Sequence, residues 1–218
     1  MPGQGALAAW EIASVTSSVL IAEWILSAAA GASKAVVAIP IGLAFILMIG
    51  SHRLRGESLR DVGFRFDNFF RAIKLLLLPM LIVAIASLLI GLALGAQPNF
   101  LRWHPERRLI AQIGLGFAWG FVQQYVLQSF VNRRAQIIWG PGLVSILLTG
   151  LIFSMLHLPN PWLMVVTLIG GLIWAAVYQR APNLIALAIS HSVMTWLLVS
   201  TLPVSALNHL RIGFKYFT

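Results

Sequence analysis

The 218-residue chain contains no cysteine, which excludes disulfides, thiol nucleophiles and cysteine metal clusters while leaving the redox compartment open. Charge is also scarce, at 10% of residues, and of the six carboxylates none lies beyond Glu106. The C-terminal half therefore has no acid to serve as a general base or as an anionic metal ligand. No internal repeat or low-complexity segment interrupts the sequence, so a single transmembrane domain over residues 1–218 is expected. The first apolar stretch lacks a preceding basic run, carries Glu11 and Glu23 and shows no small-residue cleavage site. It is expected to stay in the mature chain rather than act as a signal peptide.

What is present is apolar. Hydrophobic residues make up 59% of the chain and mean hydropathy is +0.88, a composition that defines an integral membrane protein. Crossing ~30 Å of hydrocarbon takes about 20 helical residues at ~1.5 Å each. The apolar runs predict seven spans, at residues 7–28, 35–50, 75–95, 109–131, 143–158, 162–178 and 183–202, and hence an all-α polytopic bundle. The net charge of +9 would suit nucleic acid in a soluble protein. In a membrane protein it suits loops facing anionic lipid, and no nucleic-acid partner is expected. The longest basic stretch runs from His52 to Lys74, with Arg133, Arg134 and Arg180 on the same side. Lys34, Arg102, Arg107, Arg108, Arg211 and Lys215 fall on the other. The split is nine to six, which predicts a cytoplasmic N-terminus in a multi-pass protein of the cell membrane, with a prokaryotic inner membrane as the expected setting. Trp10, Trp103, Trp139 and Trp162 fall at span ends, whereas Trp24, Trp119, Trp174 and Trp196 lie deeper and are expected to pack.

Several polar side chains sit at membrane depth, where they are expensive and usually functional. In the fourth span Gln124, Gln128 and Asn132 recur at i, i+4 and i+8, one helical face with Gln123 beside it, which must turn toward the bundle interior. Interhelical amide bonds alone could explain that stripe. His157 ends the fifth span ahead of Pro159 and Pro161, where a helix C-terminus favours a cation. His191 lies about eight residues into the seventh and needs a buried partner. Glu23, well inside the first span, is a candidate partner for either histidine.

The order of these residues resembles the CPBP family of CAAX proteases and bacteriocin-processing or self-immunity proteins. That family's motifs, Glu-Glu-x-x-x-Arg, Phe-x-x-x-His and His-x-x-x-Asn, fall on Gln123-Gln124-x-x-x-Gln128, Phe153 to His157, and His191 to Thr195. The segment Ser58 to Phe64 is similar to a loop the family carries ahead of its core, and the resemblance extends over about residues 55–200 with the motif core at 109–200. It implies an intramembrane endopeptidase acting on membrane-associated or lipidated peptides, in which the first motif's Glu activates water held by two histidines. Here Gln123 and Gln124 replace both acids, Gln128 the cation and Thr195 the amide. An amide cannot take a proton from water near neutral pH. Losing the acids and the Arg together keeps the buried site neutral, as a folded but silent relative would require.

Three readings follow. The first is an endopeptidase with altered chemistry, using His157 and His191 with Glu23 as a relocated base. The second is a silent relative that binds a membrane peptide or partner, as a scaffold or self-immunity protein would. The third is a small proton-coupled transporter through Glu23, His157 and His191, disfavoured because no inverted repeats or broken helices in matching halves are visible. No cofactor is expected. A zinc or other divalent site would need His157, His191 and Glu23 together, because glutamine rarely binds zinc. The expected partners are membrane lipid and a membrane-associated or lipidated peptide.

Overall fold

The structure, a computed structural model, describes residues 3–29, 33–100 and 109–218. Trp103 and the loop cations Arg102, Arg107 and Arg108 lie outside the described residues. Helix α1 (Gly3–Leu20) continues into a π-helical turn, Ile21–Leu26. Then come α2 (Lys34–Leu54) and α3 (Phe69–Ala93). Helix α4 (Leu109–Gln124) widens into a second π-helical stretch, Tyr125–Asn132, and runs on as α5 (Arg133–Trp139). Helices α6 (Leu143–Met155), α7 (Pro161–Arg180) and α8 (Leu184–Thr201) follow, with short turns after them. Among the described residues there is no strand.

Each expected span is found as a helix at nearly the expected place. Five are long and apolar enough to cross a membrane: Gly3–Leu26, Lys34–Leu54, Phe69–Ala93, Pro161–Arg180 and Leu184–Thr201. The protein is thus an all-α, multi-pass membrane protein. The fourth rod carries the amide stripe, and α6, with 13 residues, extends only about 20 Å.

Local sequence sets the helix starts. Asn160 accepts from the Leu163 N–H at 3.2 Å, with Pro161 at the first helical position, and Asn183 accepts from the Ala186 N–H at 2.9 Å. Both use the N-cap bond of a short polar side chain. The Asn183 amide also donates to the Arg65 carbonyl at 2.6 Å and to Asn68 Oδ1 at 2.9 Å. Gly63, at φ +97°, offers its carbonyl to the Leu184 N–H at 2.9 Å. Ser129 Oγ donates to the Val62 carbonyl at 2.6 Å. The loop at 58–68 is thereby fastened onto α8 and the π-helical stretch of the fourth rod.

Helices in lipid approach closely where side chains are small. Helix α4 packs on α8 at Gly120, where an added Cβ would stand 2.9 Å from Ser192 Oγ and 3.1 Å from the Ala188 carbonyl. Helices α6 and α7 meet at Gly150 and Gly171, and α3 meets α8 at Gly91, whose Cβ would fall 2.1 Å from the Thr201 carbonyl. Beside that contact Ser87 and Thr201 share a buried hydroxyl bond of 2.6 Å. Gly91→Leu should therefore force α3 off α8 and lower stability by about 3 kcal/mol, read as a fall of the thermal midpoint in detergent. Gly114→Leu, with open space at its Cβ, should leave the midpoint unchanged. Equal midpoints for the two variants would refute this packing. Of the deep tryptophans, Trp174 is buried as expected, Trp196 is 38% exposed and packs on Phe100 with ring centres 5.3 Å apart, and Trp119, 62% exposed, faces outward.

The expected basic loops are also revised. Arg133 and Arg134, counted with the loop cations, are in α5 inside an ion network. Arg134 is completely buried. It donates to Glu57 through Nη1 at 3.0 Å and Nη2 at 2.9 Å and to Ser51 Oγ at 2.9 Å, and its Nε lies 3.0 Å from Glu11 Oε2. Arg133 donates to Glu57 at 2.6 Å and to the Asp61 carbonyl at 2.7 Å. Arg55 reaches Glu11 at 3.0 Å, and His52 Nδ1 donates to Glu57 at 2.5 Å. Burial alone would push the Glu57 carboxyl up, but His52, Arg134 and Arg133 hold it well below the usual carboxylate range. Four segments (α1, α2, the loop after it, and α5) are joined at this one point.

Candidate functional site

Helices α4, α6 and α8 bring the motif residues together in the bundle interior. Gln124, completely buried, donates from Nε2 to His191 Nδ1 at 3.1 Å. The close approach at Gly120 makes this reach possible, since it seats α4 directly against α8. His191, 7% exposed, stacks on the Trp174 indole, ring centres 4.6 Å apart and planes within 5°. Trp174 is held in turn by its Nε1–H to Ser190 Oγ at 3.1 Å. Phe153 lies between the imidazoles, 4.8 Å from the His157 ring centre and 6.0 Å from that of His191.

The two imidazoles are held differently. His157 Nδ1 donates to the Phe153 carbonyl at 2.7 Å, so in the neutral ring its Nε2 carries the lone pair. His157 is thereby held at the helix end by a bond to the preceding turn. His191 Nδ1 accepts from an amide, so a neutral His191 carries its proton on Nε2. A carboxylate at position 124 could only accept at that spot. Here the polarity of the contact is reversed.

The remaining motif positions separate from this centre. Gln128 accepts from the Asn132 amide at 2.9 Å. Asn132 donates weakly to the Ala175 carbonyl at 3.3 Å and accepts from Gln179 at 2.9 Å, and Gln179 donates onward to Ser145 Oγ at 2.9 Å. These bonds tie the fourth rod to α6 and α7, which is the interhelical role the stripe allowed. Thr195 turns back to the His191 carbonyl at 2.9 Å. Gln123 is half-buried. Its Oε1, Gln124 Oε1 and Gln128 Nε2 are buried without a hydrogen-bond partner. Each such atom costs roughly 1–3 kcal/mol unless something supplies the missing bond.

Glu23 is found elsewhere. Its carboxylate faces Lys215 Nζ at 3.7 Å, and its backbone carbonyl crowds Gly213, at φ +57°. The Gly213 N–H donates to the Leu158 carbonyl at 2.8 Å, so the C-terminal segment bridges the first rod and the turn that bears His157. The expected pairing of Glu23 with a histidine is not formed, because a nearer cation takes the carboxylate. Among the described residues no group of three His, Asp or Glu side chains comes together, so the set His157, His191 and Glu23 is not assembled. The ion network around Glu57 was also missed, its members having read as loop charges.

An all-α membrane bundle that brings together a polar pair from one helix, a Phe-x-x-x-His helix end and a mid-helix histidine is what the resemblance to the CPBP family implied. Residues 120–197, which hold all three motif positions, match the family model described as type II CAAX prenyl endopeptidase Rce1-like, and this match supports membership of the CPBP family. No significant match is found among curated proteins or among solved structures.

Proposed function

We propose that the protein binds a membrane-associated or lipidated peptide on a CPBP-type endopeptidase scaffold without cleaving it. The observation that carries this reading is the Gln124 to His191 contact, in which a neutral amide donates where a general base would have to accept. Among the described residues no carboxylate bonds to this centre to take a proton from water, and Glu23 is engaged by Lys215. The buried Gln123 and Gln124 oxygens lack partners and can accept from the N–H groups of an extended peptide backbone. The reading also sets the basic loop at 55–68 on the cytoplasmic face of the cell membrane, with the N-terminus on the same side.

The test uses the purified chain in nanodiscs with a fluorescent prenylated peptide, measuring anisotropy for binding and mass for cleavage. Binding without any product is expected, and His191→Ala should weaken it roughly tenfold, the equivalent of about one hydrogen bond. Turnover that His157→Ala abolishes would instead establish an active endopeptidase.

A further inference from the structure

We propose that the groove between α2, the loop at 55–66 and α4 holds one anionic phospholipid, an acyl chain along its apolar walls and a hydroxyl-bearing phosphate headgroup at its His52 and Arg53 end. The groove has a volume of about 430 Å³ and lies away from the motif centre. Helix α2 packs on α1 rather than closing against α4, and the gap between the two rods is walled by Phe45, Ile49, Val62, Phe64, Phe121 and Tyr125. Two of these walls, Ile49 and Phe64, are 44% and 37% exposed, so the groove opens sideways to the bilayer.

The polar end of the groove is built at headgroup depth. His52 and Arg53 occupy the last turn of α2, which at 21 residues spans about the full hydrocarbon thickness. His52 is 7% exposed, lines the groove and has no partner for Nε2. Glu57 fixes the proton on Nδ1, which leaves Nε2 as an acceptor for a hydroxyl. Arg53 is exposed beside it. Glu57 also lines this end, but Arg53, Arg55, Arg133 and Arg134 together outnumber Glu11, Glu57 and Asp61 around it, so the surrounding field favours an anion. A polyol phosphate satisfies both demands, with a hydroxyl for His52 and a phosphate for Arg53. A choline headgroup offers no hydroxyl donor and turns a cation toward the arginines.

The experiment is native mass spectrometry of the full chain exchanged into detergent from vesicles of equal phosphatidylglycerol and phosphatidylcholine. One phosphatidylglycerol per chain should be retained, at least tenfold over phosphatidylcholine. Arg53→Gln should bring the ratio near parity, and Ile49→Trp, which fills the groove from its exposed wall, should cut retention of either lipid tenfold with the thermal midpoint unchanged. Parity in the wild type, an undiminished preference in Arg53→Gln, or undiminished retention in Ile49→Trp overturns the proposal. So does displacement of the retained lipid by a prenylated peptide, which would assign the groove to the peptide's own lipid.

Discussion

Arg134→Met is expected to cost the protein about 3–5 kcal/mol, read in detergent as a thermal midpoint lower by roughly 10 °C. The methionine fills much of the same space, so the loss comes from electrostatics rather than from a void. Arg134 is completely buried and contacts both Glu57 and Glu11, and removing it takes away the one cation they share, leaving Glu57 to Arg133 and His52 and Glu11 to Arg55 in a poorly solvated interior. Arg60→Gln offers the contrast. Its ion pair with Asp67 is largely exposed, and its loss should cost no more than about 1 kcal/mol. Acid provides a second readout. The Glu57 carboxyl is held below its ordinary value of 4.5 in the folded chain, so its stabilisation is fully present above that pH and is lost as pH falls toward the folded value. The midpoint should decline on acidification below about pH 4.5, and Glu57→Gln should remove that part of the decline. An Arg134→Met midpoint equal to the parent's would mean that the network does not hold the first rods to the fourth.

Restoring charge at the motif positions should create hydrolysis where the proposed reading gives none. The combined variant Gln123→Glu, Gln124→Glu, Gln128→Arg and Thr195→Asn is expected to cleave a prenylated peptide at a rate at least about 10² above blank, the lower end of what a positioned general base supplies. The reason is geometric. Position 124 already touches His191 Nδ1, so a carboxylate there would accept from the ring, orient it and make it a stronger base. Gln123→Glu with Gln124→Glu alone should instead destabilise the protein, since two acids would then sit buried without a cation. Product formation by the parent would overturn the premise. A folded combined variant with no turnover would show that the centre lost more than its ions.

The helices were legible because membrane spans obey a length rule that one sequence displays directly. The run at 183–202 is found at Leu184–Thr201 and that at 162–178 at Pro161–Arg180. That Gln124 and His191 each need a buried partner was legible too, but the sequence pointed His191 to Glu23, whereas it meets Gln124. What could not be read was which partner each ion takes. Arg134 meets Glu57 across 77 positions and Glu11 from a different helix, while along the chain both arginines look like an ordinary basic turn. Glu23 failed for the same reason, because its proximity to Lys215 depends on the path of the C-terminal segment. The separation of Gln128 from the histidines likewise depends on its bond to Asn132 within the π-helical stretch of the fourth rod.

That C-terminal segment has a practical consequence. With Gly213 bonded to the Leu158 carbonyl, Lys215 drawn to Glu23 and Phe217 against Trp24 at 6.4 Å, the last residues act as a latch on the very bend that presents His157. A purification handle or reporter fused there would tug on the latch, so a poorly behaved C-terminal fusion would say more about its point of attachment than about the protein's own competence.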